Sequence, residues 1–298
     1  MIYSPIIVFA FNRPDNLRKS IDSLLFNPEA KESDLFVFVD GPRTEKAGEN
    51  EKVQLVRDYV KNITGFKSLT YQFSKVNKKL GPSIIAGVTE VINEFGKAII
   101  IEDDLVVTKN FLSFMNQGLE LYKDNKRVFS ICGYTNKVTR PANYSYDAYF
   151  CVRSSSWGWG TWKDRWERVD WELSDWWKHC LNKKKFCKWG GSDCWKMLED
   201  WHAGRNQSWA IRFCYSQFLS DSVSLFPIIS KVANEGFDGE GTNCKSWSRF
   251  KYDFDNSRNK DFLFPDTLTI NMSLYKDAMS YHSLWKRAYS KIMYLIHS

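Results

Sequence analysis

The chain has 298 residues, of which 43% are hydrophobic and 26% charged, with eight prolines and no low-complexity run. That length buries a substantial core without disulfide staples, and the composition excludes disorder as the state of the whole chain. The net charge of +7 suits a phosphate-bearing substrate, an anionic membrane or nucleic acid. No helix-turn-helix, zinc-finger or RNP-type signature accompanies it, so a nucleic-acid partner is not expected.

The first half alternates apolar runs with amphipathic stretches. Ile6 to Phe11 reads as a buried strand, Asp15 to Phe26 as a helix and Leu35 to Val39 as the next strand. A helix from Asn50 to Ile63 leads to a strand over Leu69 to Phe73 and a loop bearing Lys75, Lys78 and Lys79. The next helix, from about Pro82 to Phe95, precedes Ala98 to Ile101, a strand apolar on both faces, and a further helix is expected from Asn110 to Tyr122. The expected fold class is α/β: a Rossmann-like, mostly parallel sheet flanked by helices.

Beyond about Tyr134 the pattern changes, for twelve of the thirteen tryptophans lie between Trp157 and Trp247. A glycine-bearing loop over Asn234 to Ser248, with Gly236, Gly239 and Gly241, reads as backbone able to close over a ligand or as an ordinary surface loop. Pro265 to Asn271 reads as a last strand, and Ser273 to Ser298 as a helical tail mixing Lys276, Lys286, Arg287 and Lys291 with apolar residues. These changes divide the chain into a sheet-forming half at 1–135, a tryptophan-rich half at 136–272 and a basic tail at 273–298. The seven cysteines, Cys132, Cys151, Cys180, Cys187, Cys194, Cys214 and Cys244, show no C-x-x-C pair or zinc spacing and read as reduced thiols. The opening residues carry no basic run, and Ile6 to Phe11 is too short for a signal or membrane helix. The expectation is a cytoplasmic protein, whose basic tail reads either as a peripheral contact with the inner face of the cell membrane or as a terminal helix packed on the core.

In open sheets of this kind ligands bind beyond the carboxyl ends of the strands. There stand Asn12-Arg13-Pro14, Asp40-Gly41-Pro42-Arg43 and Glu102-Asp103-Asp104. Three adjacent carboxylates repel one another, and a divalent cation, Mn²⁺ or Mg²⁺, is the simplest compensation. Such a cation also bridges diphosphate oxygens and stabilises charge on a phosphate leaving group. The competing reading makes the triplet the acidic first turn of the following helix. Asp40 could bind a base or ribose, or could merely open a turn. In Ser154 to Trp162, glycine and serine flank Trp157 and Trp159, whose rings could stack on a sugar acceptor or fill the core. No G-x-S-x-G elbow, P-loop or G-x-G-x-x-G is present.

Phe9 to Pro14, Val39-Asp40-Gly41 and Ile99 to Leu105 with Phe111 together resemble inverting GT-A glycosyltransferases. The likeness is to the Golgi N-acetylglucosaminyltransferase that initiates hybrid N-glycans and to bacterial glycosyltransferases of surface-polysaccharide clusters. It covers residues 5–135 well and continues loosely to Gly241. The resemblance implies that Arg13 in the Asn12-Arg13 loop contacts the donor nucleotide, that Asp40 contacts uracil, and that Lys79 or Lys78 reaches the base. It further implies that Asp104 ligates the metal, with Glu102 and Asp103 near ribose and diphosphate. The family's base lies in a Trp-Asp-Asp-Trp stretch, where this chain reads Trp209-Ala210-Ile211-Arg212. Asp193 and Asp200 are the remaining candidates for the catalytic carboxylate. The expected activity is transfer of a hexosyl or N-acetylhexosaminyl group from a nucleotide sugar, most simply a UDP-sugar, to a surface polysaccharide or lipid-linked glycan. A non-catalytic carbohydrate-binding protein and a sugar nucleotidyltransferase are the rival readings.

Overall fold

The computed structural model of the chain describes residues 3–236 and 250–296. Cys244, Trp247, Gly239 and Gly241 lie outside the described residues. The chain opens with β1 (Ile6–Ala10), α1 (Pro14–Leu25), β2 (Asp34–Val39), α2 (Glu49–Lys61), β3 (Ser68–Phe73), α3 (Leu80–Phe95) and β4 (Lys97–Glu102). Next come β5 (Leu105–Val107), α4 (Phe111–Leu121), β6 (Val128–Cys132), β7 (Ala148–Cys151) and β8 (Trp159–Trp162). A helical stretch follows, with α5 (Lys163–Trp166), α6 (Trp176–Cys180), α7 (Lys183–Gly190), α8 (Ser192–His202) and α9 (Trp209–Leu219). Strands β9 (Val223–Pro227) and β10 (Val232–Asn234) and helices α10 (Met272–Ser280) and α11 (Leu284–Ile296) complete the described chain.

Eight strands form one sheet in the order β3-β2-β1-β4-β8-β6-β9-β7. β3, β2, β1 and β4 are parallel neighbours. β8 runs antiparallel between β4 and β6, β9 is parallel to β6, and β7 closes the edge antiparallel. Six strands therefore share one direction, and their carboxyl ends share one edge. This is the mostly parallel α/β sheet expected from the sequence, consistent with a GT-A-like architecture.

Successive side chains of a strand point to opposite faces, and both faces here are covered. Ile6, Val8, Ile99 and Ile101 pack toward α1, α2 and α4, while Ile7, Phe9, Ala98 and Ile100 pack toward α3 and α9. Burying one such aliphatic side chain contributes about 1.5–3 kcal/mol, which is why the unbroken apolar runs became central strands. Leu173, Phe186, Trp195, Leu198, Ile211 and Tyr215 form a further core among α6 to α9.

Two expectations change. Pro265 to Asn271 is irregular rather than a strand. Leu268 and Ile270 still cover the core, and the Pro265 carbonyl accepts the Tyr122 hydroxyl at 2.7 Å, so alternation here reflects packing without ladder pairing. The tail is two helices rather than one. Asn271 caps the first by accepting the Ser273 and Leu274 amides at 3.1 and 3.2 Å.

Candidate active site

β2 lies on one side of β1 and β4 on the other, so the loops after β1 and β4 meet at the point where strand order reverses. Open α/β sheets bind ligands at such crevices. Burial ends within β4: Ala98 to Ile101 are buried, whereas Glu102, Asp103 and Asp104 are partly exposed. The Phe11 amide donates to Asp103 Oδ2 at 3.0 Å, and Arg13 Nη1 lies 3.8 Å from Asp104 Oδ2. The triplet is not the first turn of a helix, because β5 intervenes before α4, whose N-cap is Asn110.

β5 pairs antiparallel with β10, and that pairing brings a distant segment onto the triplet. The Glu235 amide donates to the Asp104 carbonyl at 2.9 Å. Asn234 Oδ1 accepts the Gly236 amide at 2.8 Å. A Cβ on Gly236 would stand 2.2 Å from Asp104 Oδ2. The sequence marked Gly236 for flexibility, but its role here is clearance beside a carboxylate.

Burial and the neighbouring Asp104 charge push the Asp103 carboxyl up to about 7, against the opposing Phe11 amide and Arg13. The same causes push Glu102 well above the usual carboxylate range. A cation bound here would relieve this repulsion. Among the described residues, no group of three or more His, Cys, Asp or Glu side chains is arranged to hold an ion. Mg²⁺ and Mn²⁺ need no such cage when one or two carboxylates and the oxygens of a bound diphosphate supply the ligands. Glu102, Asp103 and Asp104 offer carboxylates of the kind that mode needs.

The second and third loops are tied together by Asp40. Its Oδ1 accepts the Gly41 and Lys78 amides at 2.9 and 2.8 Å, and its Oδ2 accepts the Lys79 amide at 2.9 Å. Three of the roughly four acceptor positions of a carboxylate are thereby filled. Lys79 itself has φ +67°, a left-handed conformation that this bond helps to hold. Asn12 points its amide to Glu49 Oε1 at 3.0 Å.

Glu49 was not legible as a site residue. It is 2% exposed, and Arg43 grips it through Nε at 3.1 and 3.0 Å and through its backbone amide at 2.7 Å. The Arg43 guanidinium holds the Glu49 carboxyl down at about 2. Glu49 thus clamps the loops after β1 and β2. The only signal for it is an acid in the first turn of a helix six residues after Arg43, a pattern that most surface helices share.

The register that sets Ile100 opposite Trp159 places Trp157, two residues before β8, on the edge where Glu102 ends β4. Trp157 meets Tyr134 and Phe250 edge to face, at 4.5 and 5.7 Å between centroids. It lines a cavity of about 220 Å³ together with Arg153, Ser155, Trp209, Phe250 and His282. Trp159 belongs to the core instead: it is 1% exposed and stacks on Trp209 at 4.7 Å. No face of it is open to a sugar.

Asp193 stands behind the cavity wall. Arg153 Nη1 and Nη2 donate to its Oδ1 and Oδ2, both at 3.0 Å, and Nη1 also donates to the Gly190 carbonyl at 2.9 Å. Burial alone would raise the Asp193 carboxyl, but Arg153 overrides it and holds the group well below the usual range. Asp200 is not among the cavity-lining residues. It pairs with Lys196 and Arg205. The structure thus gathers Asn12, Arg13, Asp40, Lys79 and the triplet around one sheet edge and sets Trp157 beside it, while Asp193 and Asp200 are engaged by cations.

No protein-family model matches the chain. Among solved structures it is similar to Staphylococcus aureus TarS 1-349, at a TM-score of 0.43 and 11% sequence identity over 78% of this chain. The chain spans 61% of the length of that TarS structure. At that level of similarity no residue role is carried over.

Proposed function

We propose that the chain transfers a sugar from a nucleotide diphosphate donor to a carbohydrate acceptor. The observation that carries this reading is the adjacency, on one sheet edge, of a crowded carboxylate triplet and an aromatic-walled cavity. The first suits a metal-bound diphosphate, and the second suits the C–H faces of a sugar ring. A carbohydrate-binding module has use for the cavity but none for carboxylates forced together at the end of β4.

On this reading a UDP-sugar lies across the loops after β1, β2 and β4. Arg13 supplies positive charge to the phosphates, and Asp40 with the Lys78 and Lys79 backbone frames the base. A Mn²⁺ or Mg²⁺ ion held by Asp104 would neutralise charge on the leaving diphosphate. Trp157 would orient the acceptor, a surface polysaccharide or related glycan. Inverting transfer also needs a carboxylate to take the acceptor proton. Neither candidate lines the cavity; Asp193 stands behind its wall, and its pairing with Arg153 favours a structural duty.

A panel of nucleotide sugars, assayed for release of nucleotide diphosphate with and without Mn²⁺, tests the proposal. The expected result is release from one UDP-sugar that EDTA stops. Glycan binding without release from any donor would replace the enzyme by a binding protein.

A further inference from the structure

Helix α11 turns an apolar stripe outward. Leu284, Trp285, Tyr289 and Ile292 are 67%, 86%, 57% and 55% exposed, and the last three follow the i, i+4, i+7 spacing of one helical face. Ser290, on the other side, is 1% exposed, and Arg287 Nη1 donates to Ser192 Oγ at 2.8 Å. The helix is therefore seated on the start of α8 by its polar side. It contains Lys286, Arg287 and Lys291 and no carboxylate.

A second exposed segment leads to the same seat. Trp177 and Leu181 are 64% and 76% exposed, and Lys183, Lys184, Lys185 and Lys188 are exposed along α7. α7 ends at Gly190, two residues before the Ser192 that anchors Arg287. The cavity lies directly behind this junction. Arg153 in its wall bonds the Gly190 carbonyl, and His282, two residues before α11, lines it.

We propose that α11, together with the basic α7 that leads to its seat, docks the chain on the surface of an anionic phospholipid bilayer. One face rich in aromatic and aliphatic side chains, on a helix whose sequence carries three cations and no carboxylate, is the composition that settles at a headgroup–acyl boundary. Each cation near such a surface adds about 1 kcal/mol. A second copy of the chain fits this face poorly, since pairing two α11 helices would bring their cations together. Among the described residues no helix is long and apolar enough to cross a membrane, so the contact is peripheral. Docking in this pose sets the cavity at the lipid surface, where a lipid-anchored acceptor could enter it. Only that last consequence rests on the sugar-transfer reading.

The test is co-sedimentation of the full chain with vesicles of phosphatidylcholine alone and of phosphatidylcholine mixed with phosphatidylglycerol. Binding is expected only to the anionic vesicles and should weaken as salt rises. The double variant Trp285→Ser with Ile292→Ser should bind about tenfold or more weakly, with an unchanged circular dichroism spectrum. Absence of binding to anionic vesicles, or equal binding by the variant, overturns the proposal. So does self-association in sedimentation velocity that the variant abolishes without any vesicle binding. Nucleotide release with a water-soluble acceptor, measured on the same variant, separates failure of docking from failure of the transfer reading.

Discussion

The Cβ that Gly236 lacks would stand 2.2 Å from the Oδ2 of Asp104, so β10 and the acidic triplet approach each other as closely as a glycine allows. In Gly236→Ala either the carboxylate rotates away or the backbone after Asn234 withdraws. We expect Mn²⁺-dependent UDP binding to fall about tenfold or more in calorimetric titration. Stability should drop by only about 1–3 kcal/mol, the usual cost of a small overpacking. Parental affinity in this variant would mean that Asp104 has no need of its present position.

Asp40 offers a similar separation. Because its carboxylate holds the Gly41, Lys78 and Lys79 amides, Asp40→Ala should loosen the loop as well as weaken UDP binding. Hydrogen bonds to a charged acceptor are worth about 1.5–3 kcal/mol each, so amide exchange at Lys78 and Lys79 should accelerate measurably. Weakened UDP binding with unchanged exchange would show that Asp40 touches the base directly. No change in either would remove it from the site.

Asp103 predicts an inverted pH dependence. Its carboxyl titrates at 3.8 when unperturbed and at about 7 in the fold, so between those values the native state binds a proton that the unfolded chain has lost. Stability from this group is full below pH 3.8 and is lost as pH rises through 7. Urea titrations of the metal-free chain should therefore lose about 1–4 kcal/mol between acidic and mildly alkaline pH. Asp103→Asn should flatten that slope, and Mn²⁺ with UDP should flatten it in the parent. An unchanged slope in Asp103→Asn would locate the titration elsewhere.

Asp193 distinguishes structure from chemistry. Asp193→Asn leaves the partly buried Arg153 charge without its carboxylate partner, which should cost up to about 3 kcal/mol, the low end for a fully buried pair. Replacing both, as Arg153→Met with Asp193→Leu, should restore most of the thermal stability. A general base would behave otherwise. Asp193→Asn would then melt like the parent and lose about a hundredfold in transfer rate.

Much of the fold was legible because β1 and β4 are buried on both faces, and β2 is buried on one and half-buried on the other, so that all three read as unbroken apolar runs. β7, β8 and β9 were not. Trp159-Gly160-Thr161-Trp162 forms a strand through its neighbours β4 and β6, and nothing in four residues rich in tryptophan and glycine declares that pairing. The triplet was legible for the same reason as β4, since burial stops where the charges begin. Glu49 and Gly236 were hidden because each acts on a residue far away in sequence. Asn12, 37 residues before Glu49, and Asp104 acquire these partners only once the sheet has closed. Trp159 misled because aromatic residues flanked by glycine look alike in sequence whether they line a cavity or fill a core.

Asp104→Asn is the most direct test of the proposed chemistry. The amide keeps the size and planarity of the carboxylate but is a poor ligand for a hard cation. It also removes one of the charges that burden Glu102 and Asp103. Without the ion, charge building on the diphosphate leaving group is left to Arg13, and the barrier should rise by about 3 kcal/mol or more, which is roughly a hundredfold in rate. The metal-free variant should melt at or above the parent's temperature, because relieving repulsion among crowded carboxylates stabilises the fold. Mn²⁺ with UDP should raise the melting temperature of the parent and leave that of the variant nearly unmoved, as linkage requires when affinity is lost. EDTA should reduce the parent to the variant's rate. Near-parental transfer by Asp104→Asn, or full parental activity in EDTA, would take the metal out of the mechanism and leave the triplet as a cluster of acids at the end of β4.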